Sequence, residues 1–117
     1  MPVPTSLPIR PVADHVYVAP QLAPADLAEA ARAGFRSVIN NRPDFEAGPE
    51  QPANARIEAA AVAAGLAYVF LPVAPGYQSP EEIARFAELL ATLPKPILAF
   101  CRSGARSGKL YLAAARR

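Results

Sequence analysis

The sequence predicts an α/β fold: a mainly parallel sheet with helices on both faces. Three observations predict it. Short, continuous apolar runs alternate with helix-patterned segments, giving the order β-α-β-α-β-α-β-α over 117 residues. Two helix-patterned segments stop at a glycine followed at once by an apolar run (Ala33-Gly34-Phe35 and Ala64-Gly65-Leu66). The final apolar run, Pro96-Ile97-Leu98-Ala99-Phe100, leads into the single cysteine and a further helix. Ligands in such sheets bind at the carboxyl ends of the strands, which is where Cys101 falls.

Each element has a local reason. Residues 1–12 hold four of the fourteen prolines and read as an extended arm ahead of a domain over 13–117. His15-Val16-Tyr17-Val18 reads as the first strand, with His15 structural. Pro24–Ala33 reads as a helix with proline in its first turn and Gly34 as its stop. Phe35–Asn40 is the second strand. Asn41–Pro52, with three prolines and one glycine, is a loop. Ala53–Ala64 is a helix ended by Gly65, and Ala67–Val73 is the third strand. Ser79-Pro80-Glu81-Glu82 is a capping box that opens a helix. Its apolar residues Ile83, Phe86, Ala87, Leu90 and Leu93 follow helical spacing. Pro94-Lys95-Pro96 stops it. Ile97–Phe100 is the fourth strand, and Arg106–Ala115 the last helix.

Composition excludes several classes. Apolar residues make up 52% of the chain, a globular balance. No apolar run approaches the roughly 20 residues of a membrane span. The N-terminus lacks the pattern of a signal peptide, so a cytoplasmic, reducing location is expected. One cysteine forbids an intrachain disulfide, and one cysteine with one histidine forbids a Cys/His metal cluster. No metal or organic cofactor is implied. A net charge of +2 is too weak to point to nucleic acid. Five of the twelve basic residues nevertheless lie in 102–117, where no acid occurs, so positive charge follows the cysteine.

The stretch Cys101-Arg102-Ser103-Gly104-Ala105-Arg106-Ser107-Gly108 carries the chemistry. A cysteine at a strand-to-helix turn sits among free backbone N–H groups at the positive helix end. That setting lowers a thiol pKa and frees the thiolate as a nucleophile. Most lone cysteines are buried structural thiols, but two arginines and two glycines suit an anion cradle better than inert packing. Arg106 can fork onto two oxygens of an anion. As a cation at a helix N-terminus it opposes the dipole, which argues for a functional reason. Arg102 faces solvent or meets substrate at the rim. Ser103 and Ser107 offer hydroxyls, Gly104 lets N–H groups turn inward, and Ala105 completes the loop. After the second strand, Asn40, Asn41, Arg42 and Asp44 form a polar cluster. There Arg42 either pairs with Asp44 or brings a second positive charge to the pocket, and Asp44 is otherwise a local cap.

Three segments together resemble a known family. They are Val38-Ile39-Asn40-Asn41-Arg42-Pro43-Asp44, the stretch from Glu58 to Tyr68, and Phe100–Ser107. The chain is similar, over roughly residues 14–115, to the bacterial phosphatase-like domain of beta-lactamase hydrolase-like proteins. This is a DUF442-type family also described as sulfur transferases. The resemblance implies a fold similar to dual-specificity phosphatases, a catalytic Cys101 and an anion-binding Arg106. Some members are fused to, or encoded beside, a sulfur dioxygenase-like metallo-hydrolase, so such a protein is an implied partner.

Two activities then compete. Cysteine phosphatases place a histidine before the cysteine and five residues between cysteine and arginine. Here Phe100 stands in the first place and only four residues intervene, as in a rhodanese loop. A phosphatase also uses an aspartate as general acid, an aid worth roughly 10²–10⁴ in rate. The Ala74–Ser79 loop has none, so Asp44 would serve from a different loop. The leading expectation is therefore a rhodanese-type sulfurtransferase. It takes sulfur from a small anionic donor onto Cys101 and passes it to a thiol or sulfite acceptor. A cysteine phosphatase working through phosphocysteine is the alternative. A non-catalytic anion-binding or redox-sensing module is the third reading.

Overall fold

The computed structural model describes residues 4–116. Among them are β1 (Arg10–Ala13), β2 (Val16–Ala19), α1 (Asp26–Arg32), β3 (Ser37–Asn40), α2 (Asn54–Ala63), β4 (Ala67–Phe70), α3 (Pro80–Thr92), β5 (Ile97–Phe100) and α4 (Ala105–Ala115). The sheet order is β1-β2-β5-β3-β4. Only β1 runs antiparallel; β2, β5, β3 and β4 are mutually parallel. The expected α/β fold is present, with helices on both faces.

Alternation along the strands builds two cores. In β5, Leu98 and Phe100 face one cluster, while Ile97 and Ala99 face the other. In β3, Val38 and Ile39 divide in the same way. The first cluster takes Leu27 and Ala30 of α1 and Ile57 and Ala61 of α2. The second takes Phe86 and Leu89 of α3 and Leu110 of α4. β5 is therefore flanked by strands on both sides and covered on both faces, which explains its uninterrupted apolar sequence.

The structure adds an edge strand to the expected order. Arg10–Ala13, in and just after the stretch read as an extended arm, pairs antiparallel with β2. Pro11 lies within it, as an edge strand tolerates. Leu7 and Ile9 of the same stretch pack against the first core; residues 1–3 lie outside the described residues. His15 precedes β2 rather than opening it, and holds a left-handed backbone (φ 66°) at the turn from β1. The strand expected over Ala67–Val73 ends at Phe70. Beyond it, Leu71 and Val73 N–H groups donate to the Asn40 and Asn41 carbonyls, steering the chain across the carboxyl end of β3. The capping box of α3 forms as expected: Ser79 and Glu82 each accept the other's backbone N–H. No helix among the described residues is long and apolar enough to cross a membrane.

Candidate active site

β5 delivers Cys101 to the carboxyl edge of the sheet, where it is 1% exposed. Its N–H donates to the Ala19 carbonyl at the end of β2 (3.3 Å). The chain then curls over the thiol. Gly104 caps α4 at φ +92°, and its N–H donates to Cys101 Sγ at 3.1 Å. A Cβ at Gly104 would stand 3.4 Å from the Ala19 carbonyl carbon in a backbone state that side chains rarely adopt.

Two opposed effects set the acidity of the thiol. Burial pushes its pKa up. Backbone N–H groups of Ser107 and Ser103, the Ser107 hydroxyl and the Gly104 N–H more than offset this, and the thiol falls below its ordinary value. The Ser107 hydroxyl has one proton and two acceptors, since it also donates to Asn41 Oδ1 at 2.8 Å. The backbone N–H groups are thus the fixed part of the thiolate's support. Asn41 is fully buried, and its amide donates to the Leu71 carbonyl (3.0 Å). It touches the loop through Ser107, as a brace rather than as a direct anion ligand.

Arg106 is held by a residue that sequence reasoning passed over. Its Nη1 donates to Glu46 Oε2 and to the Val73 carbonyl, and its Nη2 to Glu46 Oε1, each at 3.0 Å. A guanidinium has five N–H donors. Three are taken, which leaves Nε–H and one Nη2–H as a single open edge able to grip two oxygens. Glu46 also offsets the charge that opposes the α4 dipole. Its carboxyl, pushed up by burial, is brought net below its ordinary value by hydrogen bonds from Arg106 and Arg42.

Arg42 pairs with Glu46 rather than with Asp44. Its Nε donates to Glu46 Oε1 at 2.9 Å and its Nη1 to Gln21 Oε1 at 3.1 Å. Its own N–H donates to Asn40 Oδ1 (2.9 Å). It therefore acts on the Cys101 pocket through Glu46. Asp44 Oδ1 accepts the Asn54 N–H at 2.7 Å, so from ten residues away it satisfies a free donor at the start of α2, whose N-cap residue is Ala53. Nearby, Asn40 donates to the Tyr68 hydroxyl (3.0 Å), which donates to Asn54 Oδ1 (2.5 Å). Burial drives that phenol's pKa up to about 12, so it stays protonated as a tie between β3, β4 and α2.

Two adjoining cavities open at this edge. One, of about 350 Å³, contains Cys101 and is lined by Arg102, Ser103, Ala105, Arg106 and Lys109 together with Pro75, Gly76, Tyr77 and Gln78. The other, of about 280 Å³, is lined by Arg42, Glu46, Ala47, Pro75, Arg102 and Arg106. The cysteine turn and the loop after β4 thus share one pocket, while the loop after β3 lines its neighbour. Gln78 ties its loop to α4 by donating to the Arg106 carbonyl (3.1 Å). Ser103 accepts the Ala105 N–H (3.3 Å) at the pocket wall. Asp44 lines neither cavity. Neither Glu46 nor Gln78 carries a sequence signature; both are reached only through the fold.

Comparison with known proteins places this geometry. Residues 8–116 match the family model for the beta-lactamase hydrolase-like protein, phosphatase-like domain. A beta-lactamase hydrolase-like protein of Agrobacterium fabrum is 36% identical over 99 residues, covering 85% of this chain and 23% of that protein. A crystal structure from Neisseria meningitidis, described as a candidate phosphatase, superposes with a TM-score of 0.83. It is 32% identical and covers 91% of this chain and 75% of that one. Pseudomonas aeruginosa TpbA in complex with phosphotyrosine shares the fold at a TM-score of 0.66 and 16% identity, covering 94% of this chain and 63% of that one. The chain spans about a fifth of the length of the curated relatives it matches. It has a phosphatase-like fold and belongs to the phosphatase-like domain family of beta-lactamase hydrolase-like proteins.

Proposed function

We propose that Cys101 is the nucleophile of a transfer reaction on a small anion, and that the group transferred is a sulfane sulfur. The observation that carries this reading is the pocket wall. Among the described residues no carboxyl or imidazole lines the cavity that holds Cys101, Glu46 of the adjoining cavity is tied to Arg106 and Arg42, and Asp44 Oδ1 accepts the Asn54 N–H. The chemistry best suited to such a site needs no proton delivered to its leaving group.

With thiosulfate, the Cys101 thiolate attacks the outer sulfur. A new S–S bond forms to Sγ, the donor S–S bond breaks, and sulfite leaves with the electron pair. The open edge of Arg106 holds two oxygens of the donor, and the loop N–H groups steady the negative sulfur. A thiolate or sulfite then attacks the outer sulfur of the persulfide and regenerates the Cys101 thiolate.

The comparisons favour a second reading, a cysteine phosphatase. The fold and the described class of the Neisseria structure support it. Attack of Sγ on phosphorus would form a phosphocysteine that water hydrolyses. In this acid-free pocket it would be confined to leaving groups that depart as stable anions.

Intact mass decides between them. After thiosulfate, the protein is expected to gain one sulfur, removable by cyanide or sulfite and absent in Cys101→Ser. No gain, with Cys101-dependent and vanadate-sensitive release of phosphate from an aryl phosphate, would replace sulfur transfer by the phosphatase reading.

A further inference from the structure

We infer that the outer part of the Cys101 cavity is a binding subsite for the carboxylates of an organic thiol-derived donor or acceptor, with Lys109 and Arg102 as its cations. This deepens the sulfur-transfer reading and rests on it. Three observations lead here.

The first is size. About 350 Å³ lies within the roughly 300–1,000 Å³ of sites for organic ligands. An inorganic oxyanion of five heavy atoms held between Arg106 and the loop fills only its floor. The second is charge. Arg106 is already paired with Glu46, whose carboxylate it shares with Arg42, and the loop N–H groups are turned to the thiolate. Arg102 and Lys109 also line the cavity, yet neither joins any ion pair among the described residues. Among the described residues no acid lines this cavity, and Glu46 of the adjoining one is tied to Arg106 and Arg42. The third is placement. Lys109 follows Arg106 by three residues, so both project from one side of α4. Arg102 lies at the other end of the loop, on the wall shared by the two cavities. Gln78 and the exposed Tyr77 ring complete the far wall, offering an amide and an aromatic face to an organic body.

Such a ligand would place its sulfur at Cys101 and its carboxylates at Lys109 and Arg102. Both cations are exposed, so each contact is modest and weakened by salt.

Protection of Cys101 from iodoacetamide tests this without turnover. The probes are S-methylglutathione, which carries two carboxylates, and its diethyl ester, which has the same body without those charges. The acid is expected to protect at about tenfold lower concentration than the ester, the sum of two exposed ion pairs. Lys109→Ala should cut that difference to about threefold, the share of Arg102 alone, and Lys109→Arg should keep it. Equal protection by acid and ester, no protection by either, or an unchanged difference in Lys109→Ala would overturn the subsite. Failure of Cys101 to take up sulfur in the mass experiment, with the acid still protecting selectively, would instead overturn sulfur transfer and leave the subsite standing.

Discussion

Glu46 shows how one side chain sets the character of the site. Its two oxygens hold Arg106 and Arg42 at once, so the guanidinium of Arg106 is fixed with one edge free. Glu46→Gln exchanges a charge-assisted fork for neutral contacts and leaves Arg42, only 6% exposed, without its counter-charge. A stability loss of about 1–3 kcal/mol is expected in urea unfolding at pH 7. The pH dependence has a definite sign. Glu46 titrates below its unfolded value, so its contribution is complete above the ordinary carboxyl pKa of 4.5 and is lost as pH falls through the folded value. The difference between wild type and Glu46→Gln should therefore shrink in acid. The Cys101 thiol is lowered by loop donors, so its iodoacetamide alkylation should reach half-maximum at a lower pH than a free thiol does. A profile matching free cysteine would remove the basis for thiolate attack at neutral pH.

At the scale of elements, much of the architecture was legible in the sequence. The capping box at Ser79, the proline in the first turn of α3 and the apolar β5 are local signals, and the structure keeps them. β1 was hidden because a proline-rich edge strand lacks the alternation of a covered one, and pairing with β2 is what makes it a strand. The Cys101 loop was legible because its residues are consecutive and chemically unusual. Glu46 was not, since it lies 60 residues from Arg106 in a loop whose path is set by tertiary contacts. Asp44 shows the same limit from the other side: its residue type suits an acid, while the fold turns its carboxylate to the Asn54 N–H at the start of α2. Asp44→Ala should lower stability by about 1 kcal/mol, read as a lower Tm. It should leave the rate of sulfur uptake by Cys101 unchanged. A large fall in aryl phosphate hydrolysis with Tm unaffected would restore the acid role.

Across the whole molecule, the sheet order ties the reactive turn to the interior. β5 has β2 on one side and β3 on the other, while β1 and β4 are the edges. Opening events in proteins begin where few neighbours must be disrupted and reach central strands last. Swinging of the loops after β3 and β4, which line the two cavities, can therefore exchange their contents without loosening Sγ from its backbone donors. Amide protons of β5 would exchange with water only through the largest openings, and those at the two edges through smaller ones. Cys101 thus follows the strand that gives way last, while the opposite wall of its cavity, Pro75 to Gln78, belongs to a loop that gives way sooner.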